Sequence, residues 1–216
     1  MLIDSHHDRL LIAAFKPFAT RGEGKIKYFY GDTTKNVTIG KGHIVPNEQA
    51  ALALKEKLYI GNRHPTEAEI ISIYKSVKNK TIEEFNRTGG NTEQMAKASA
   101  YEKINKGLEI DGKYIEKLFD NDIRTHLEEL KRKFPDLHTY PAPAQTALLD
   151  MSFNMGMPTF KAQFTLFMAA VYQRDWAAEL ERMAPFFKFP EFPDAKENNM
   201  ERLPYPCVFN NTCFGD

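Results

Sequence analysis

Two short runs of β-prone residues, 27–30 and 37–39, flank a turn-rich Gly31-Asp32-Thr33-Thr34-Lys35-Asn36, while the patterns downstream are helical. That arrangement predicts a β-hairpin. A hairpin folds residues that are distant in sequence back beside one another. It therefore gathers three polar groups: Glu23 just before it, Asp32 at its turn and Thr38 on its return strand. The rest of the chain reads as helices with loops, so the predicted class is α+β, mostly helical.

The helices follow from spacing and caps. Leu10, Leu11, Ala14, Phe15 and Phe18 share one helical face, which Pro17 is expected to end or bend. After the hairpin, Asn47 can cap a helix whose apolar side carries Ala50, Ala51, Leu54 and Leu58. Residues 65–69 contain a capping box that leads into Ile70, Ile73, Tyr74 and Val77. Gly89-Gly90-Asn91 is a break. A further helix is expected from Thr92 through Met95, Tyr101 and Ile104, and Asp111-Gly112 punctuates again. Ile115, Leu118, Phe119, Ile123, Leu127 and Leu130 form the cleanest amphipathic stripe, over 114–133, stopped by Pro135. Pro141-Ala142-Pro143 suits the start of a helix buried through Ala147, Leu148, Met151 and Met155. Phe164, Phe167, Met168 and Val171 repeat the pattern, and Asp175 can cap a helix with Trp176, Leu180 and Met183. From Pro185 onward, phenylalanines among prolines read as an irregular tail that wraps over the helices.

At 216 residues, 42% hydrophobic and 27% charged, the chain is long enough for a sizeable core and is not of disordered composition. Formal net charge is zero. A small excess of Lys and Arg before residue 101 is offset after it, a balance that does not describe a nucleic-acid binder. No run approaches the roughly 20 apolar residues that a membrane span requires, and no secretion signal is visible. No metal site or cofactor motif is expected: Gly40-Lys41-Gly42 lacks both the Walker spacing and the full dinucleotide fingerprint. Cys207 and Cys213 could close a small loop in an oxidising compartment and would be two separate thiols in a reducing one.

Glycosidic cleavage needs an acid to protonate the departing oxygen, commonly with a second carboxylate across the sugar to activate water or attack directly. Glu23 and Asp32 can supply that pair. Taken singly, each candidate has an ordinary explanation: a lone Glu beside Gly is solvated, an Asp opening a turn caps its own backbone, and a Thr on a strand is a good strand former. His43 reads as a structural histidine. The ordered combination says more. Glu23-Gly24, then Tyr30-Gly31-Asp32-Thr33, then Thr38-Ile39-Gly40-Lys41-Gly42-His43 resembles the phage-type lysozymes, glycoside hydrolase family 24, without a gap. Residues 147–156 resemble the family's helix bordering the cleft, and 114–123 resemble the start of its lobe-linking helix.

The resemblance implies a lysozyme-like two-lobed fold, with a small N-terminal hairpin lobe and a larger helical lobe along a glycan. Carried over by position, Glu23 matches the general acid, Asp32 the carboxylate assisting the attacking water, and Thr38 the hydroxyl that helps hold it. Ile44, Phe153 and Asn154 match substrate-contacting residues. The activity implied is an inverting muramidase on peptidoglycan glycan strands, needing no cofactor and acting as a monomer in the bacterial wall. Lysis or another system would deliver it, as the lysozyme domain of a larger antibacterial effector with an immunity or delivery partner. On this reading one domain covers 1–216: a catalytic lobe over about 10–45, an inserted helical segment over 46–112, a helical lobe over 113–183 and the tail over 184–216. The insertion and the tail depart from compact members of the family. A lytic transglycosylase on the same scaffold, or a non-catalytic wall- or partner-binding module, is the alternative.

Overall fold

A computed structural model describes residues 6–22, 24–91, 94–163 and 165–174. They form a mostly helical α+β structure with small antiparallel sheets. The chain divides into two compact units, one formed by Glu23–Asn121 and the other by Met1–Gly22 together with Asp122–Asp216.

The central unit starts with the hairpin. Strands β1 (Ile26–Gly31), β2 (Val37–Gly40) and β3 (His43–Val45) form an antiparallel meander in the order β1-β2-β3. The third strand extends the predicted hairpin: Thr38 pairs with Tyr30 on one side and with Ile44 on the other. Every residue of β2 is buried, as a central strand requires. Between Ile26↔Gly40 and Tyr30↔Thr38 the register shifts, so Lys27, Tyr28 and Phe29 stand opposite Ile39 alone.

Helix α2 (Glu48–Ala53) is capped as expected, with the Asn47 carboxamide oxygen accepting from the Ala50 amide at 2.9 Å. It ends sooner than expected. Leu54 closes it, a 3-10 turn follows at Lys55–Lys57, and Leu58 enters strand β4 (Leu58–Ile60) rather than the helix face. Its partner is β5 (Leu108–Ile110), antiparallel, with Leu58↔Ile110 and Ile60↔Leu108 in register. Helix α3 (Glu67–Thr88) has the complete Thr66/Glu69 capping box, buries Ile70, Ile73, Tyr74 and Val77, and closes on left-handed Gly89. Thr92 lies outside the described residues. The helix expected beyond it is instead a 3-10 helix over Ala98–Asn105. Tertiary contacts set that course, since Tyr101 and Asn105 are both buried against β1. Phe29, Ile39, Ile70, Tyr101, Leu108 and Ile115 belong to one hydrophobic core.

Helix α4 (Gly112–Lys133) covers the predicted amphipathic stripe, and its apolar positions from Ile115 to Leu130 are buried. The unit boundary falls within it, after Asn121.

In the other unit, α1 (His6–Gly22) runs through Pro17 instead of ending there. Both Pro17 and Ala13, whose carbonyl loses its partner, are exposed, so water can satisfy that group. Leu10, expected on the apolar face, is 57% exposed, while Leu11, Phe15 and Ala19 are buried. The Asp8 carboxylate, buried, accepts two hydrogen bonds from Lys131 Nζ at 2.8 and 3.0 Å. Helix α5 (Ala142–Gln163) begins within the Pro-Ala-Pro, buries Ala147, Leu148 and Met151, and breaks at Gly156 (φ 72°, ψ 150°). Met155, expected in the buried face, is partly exposed next to that break. Helix α6 (Thr165–Gln173) buries Met168 and Val171. Phe164 and the predicted helix and tail from Asp175 onward, including Cys207 and Cys213, lie outside the described residues. Among the described residues, no helix is long and apolar enough to cross a membrane.

Candidate functional site

The site grows from the turn between β1 and β2. The Asp32 amide donates to the Asn36 carbonyl at 3.0 Å, closing the loop. The Asp32 carboxylate then fills it. Oδ1 accepts the backbone amides of Thr34 and Asn36 at 2.8 and 2.7 Å, while Oδ2 accepts the Thr34 hydroxyl at 2.8 Å and the Asn36 carboxamide at 3.1 Å. An ionised carboxylate offers about four lone-pair sites, so the turn engages all of them. The two oxygens differ in one respect. Oδ1 is bound by the main chain, whereas Oδ2 is bound only by side chains that can rotate.

Lys35 completes the turn in the left-handed region (φ 68°), where a glycine would be at ease. Its carbonyl accepts from Lys78 Nζ at 2.6 Å and its own ammonium lies 4.0 Å from the centroid of the Phe85 ring. Thr38 is buried on β2, and its hydroxyl donates to the Tyr30 carbonyl at 3.2 Å. Ile44, its other cross-strand neighbour, is 49% exposed. Asp32, Thr38 and Ile44 are thus brought onto one small sheet and its turn. Glu23 lies outside the described residues.

Phe153 and Asn154 belong to the other unit, on α5. The Phe153 ring meets Phe15 and His126 edge-on at centroid distances of 5.8 and 5.4 Å. Asn154 is exposed, with its amide donating to the carbonyl and carboxylate of Asp150 at 3.0 and 2.9 Å. His126 also bonds the fully buried Ser152 hydroxyl at 3.2 Å.

Two groups of residues near the hairpin escape sequence reading. Lys41, between the left-handed Gly40 and Gly42, buries its stem and reaches Glu116 at 2.9 Å, while Lys25 meets the other oxygen of Glu116 at 3.2 Å. Those lysines, Lys41 foremost, hold the Glu116 carboxyl below its ordinary range. The available signal was a lysine between two glycines, which points to a constrained turn but names no partner. Tyr101 and Asn105 are the second group. Both are buried beneath β1, and the Tyr101 hydroxyl makes no hydrogen bond of good geometry. Burial raises its pKa, Thr81 opposes that, and the charges of Glu84 and Asp32 add to the rise.

Compared with known proteins, the chain matches no family model and no curated sequence.

Proposed function

We propose that this protein is a muramidase that cleaves the β-1,4 bond between N-acetylmuramic acid and N-acetylglucosamine in peptidoglycan, on a lysozyme-like two-lobed scaffold. The observation that carries the reading is the hairpin itself. The segment bearing the ordered motif folds as an antiparallel sheet with Asp32 at its turn and Thr38 in the central strand. Glu23 is the general acid of the proposal and Asp32 the carboxylate that orients the attacking water, an arrangement suited to inversion. The water is received at Oδ2. Turning the Thr34 hydroxyl away frees a lone pair there without disturbing the backbone bonds to Oδ1. No metal or cofactor enters the step.

The test is digestion of purified peptidoglycan by the wild type, Glu23→Gln and Asp32→Asn, with released muropeptides identified by mass spectrometry. Reducing-end muramic acid products from the wild type, falling by about 100-fold or more in each variant while both stay folded, are the expected result. Anhydromuramic products would identify a lytic transglycosylase. A folded wild type that binds peptidoglycan without cleaving it would identify a binding module.

A further inference from the structure

The interval 46–112 separates the hairpin from α4, and its innermost residues meet β1 where β2 leaves it unpaired. At the bulge, Phe29 finds a side chain in place of a neighbouring strand. Asn105 Oδ1 accepts the Phe29 amide at 3.0 Å, and Asn105 Nδ2 donates to the Phe29 carbonyl at 2.8 Å. The same Nδ2 donates to the Tyr101 carbonyl at 2.9 Å. Asn105 is 1% exposed, so these bonds form out of water, where leaving any of them unmade is costly. A carboxamide carries a donor and an acceptor side by side, like a peptide group, which is why one residue can stand in for a strand here.

One turn before Asn105, the Tyr101 ring lies under Gly31 so closely that a methyl group there would be 2.6 Å from its hydroxyl. Asn105 therefore sets where β1 sits along this surface, and Asp32 follows directly from Gly31, the last residue of β1. At the other end of the turn, Lys78 and Phe85 hold Lys35.

We infer that Asn105 is a positioning residue for Asp32, and that the segment 46–112 acts as a brace that fixes the water-orienting carboxylate. The kinetic consequence rests on the muramidase reading; the geometric one does not. The Asp32 turn keeps its own internal hydrogen bonds whether or not Asn105 is present. Losing Asn105 displaces the turn as a body, and a displacement of about 1 Å at a reacting group can cost about 100-fold in rate.

Asn105→Ala is compared with Ser76→Ala, a change on the exposed face of α3, with activity expressed per folded molecule. In Asn105→Ala, kcat on peptidoglycan falls at least about 10-fold while KM stays within about 3-fold, because only the positioning of one catalytic group is lost. In two-dimensional NMR spectra, the Thr34 and Asn36 amides that donate to Asp32 shift in the same variant, and those of β4 and β5 do not. In the wild type, the Phe29 amide is protected from hydrogen exchange even though no strand pairs with it. A kcat per folded molecule within 2-fold of wild type, unmoved Thr34 and Asn36 amides, or a Phe29 amide exchanging like an open loop would each overturn the inference. If the wild type cleaves nothing, the muramidase reading fails and the two amide measurements still decide the positioning.

Discussion

A methyl group at position 31 would stand 2.1 Å from Thr81 Oγ1 and 2.6 Å from the Tyr101 hydroxyl, and both side chains are fully buried. Neither can withdraw, because Thr81 is already bonded to the Val77 carbonyl at 2.7 Å and the Tyr101 ring fills the core. Gly31→Ala is therefore expected to destabilise by about 1–3 kcal/mol, the usual cost of overpacking, measured by urea unfolding. A loss near zero would mean that β1 can lift from Tyr101, contrary to its close seat. His126 makes a second prediction at this scale. Burial holds its imidazole below the ordinary 6.5, against the pull of Glu129 and Asp122. The unfolded chain thus takes up a proton near pH 6.5 that the folded chain refuses. Its burial costs no stability above that pH and costs progressively more as pH falls toward the folded value. His126→Gln, able to keep a bond to Ser152, is expected to flatten the loss of stability between pH 7 and 5.5; an unchanged pH slope would assign the acid sensitivity elsewhere.

At the scale of elements, α3 owes its start to Thr66 and Glu69. The Glu69 carboxylate accepts from the Thr66 amide at 2.8 Å and from Arg63 at 2.6 and 2.9 Å, and its pKa is lowered to about 2, foremost by the Arg63 hydrogen bond. A depressed carboxylate stabilises the fold above its unfolded value and loses that contribution as pH drops from about 4.5 toward 2. Thr66→Ala is expected to cost about 1 kcal/mol at neutral pH, read from the urea midpoint. This cap was legible in the sequence because its partners lie within three residues, and so was the Asp32 turn, whose donors lie within four. Strands β4 and β5 were not legible. Each has only three residues, too few to show an alternation, and each exists because the other pairs with it. Asn105 was hidden for the same reason, since its partner Phe29 is 76 residues away and a helical spacing marks it only as core. Of the candidate site, residue types, their order and the capping of the turn by Asp32 could be read, but not the side-chain bonds from Thr34 and Asn36 that engage its second oxygen.

The two units of the whole molecule are built differently in sequence. The central one, Glu23–Asn121, is a single stretch, while its counterpart joins the first residues to those after Asn121. Helical class and the main apolar stripes could be predicted because each repeats within a few turns. The pairing of α1 with α5 could not, since it depends on groups as far apart as His7 and Gln145, 138 residues distant and bonded at 2.7 Å. That separation matters while the chain is being made. A ribosome adding about 5–20 residues per second delivers α5 on the order of ten seconds after α1. The central unit can condense in that interval, but Leu11, Phe15 and Ala19 must wait for the helix that covers them. Helix α1 therefore finds its place only after α5 has been made, and the growing chain carries an uncovered greasy stripe along that helix until then.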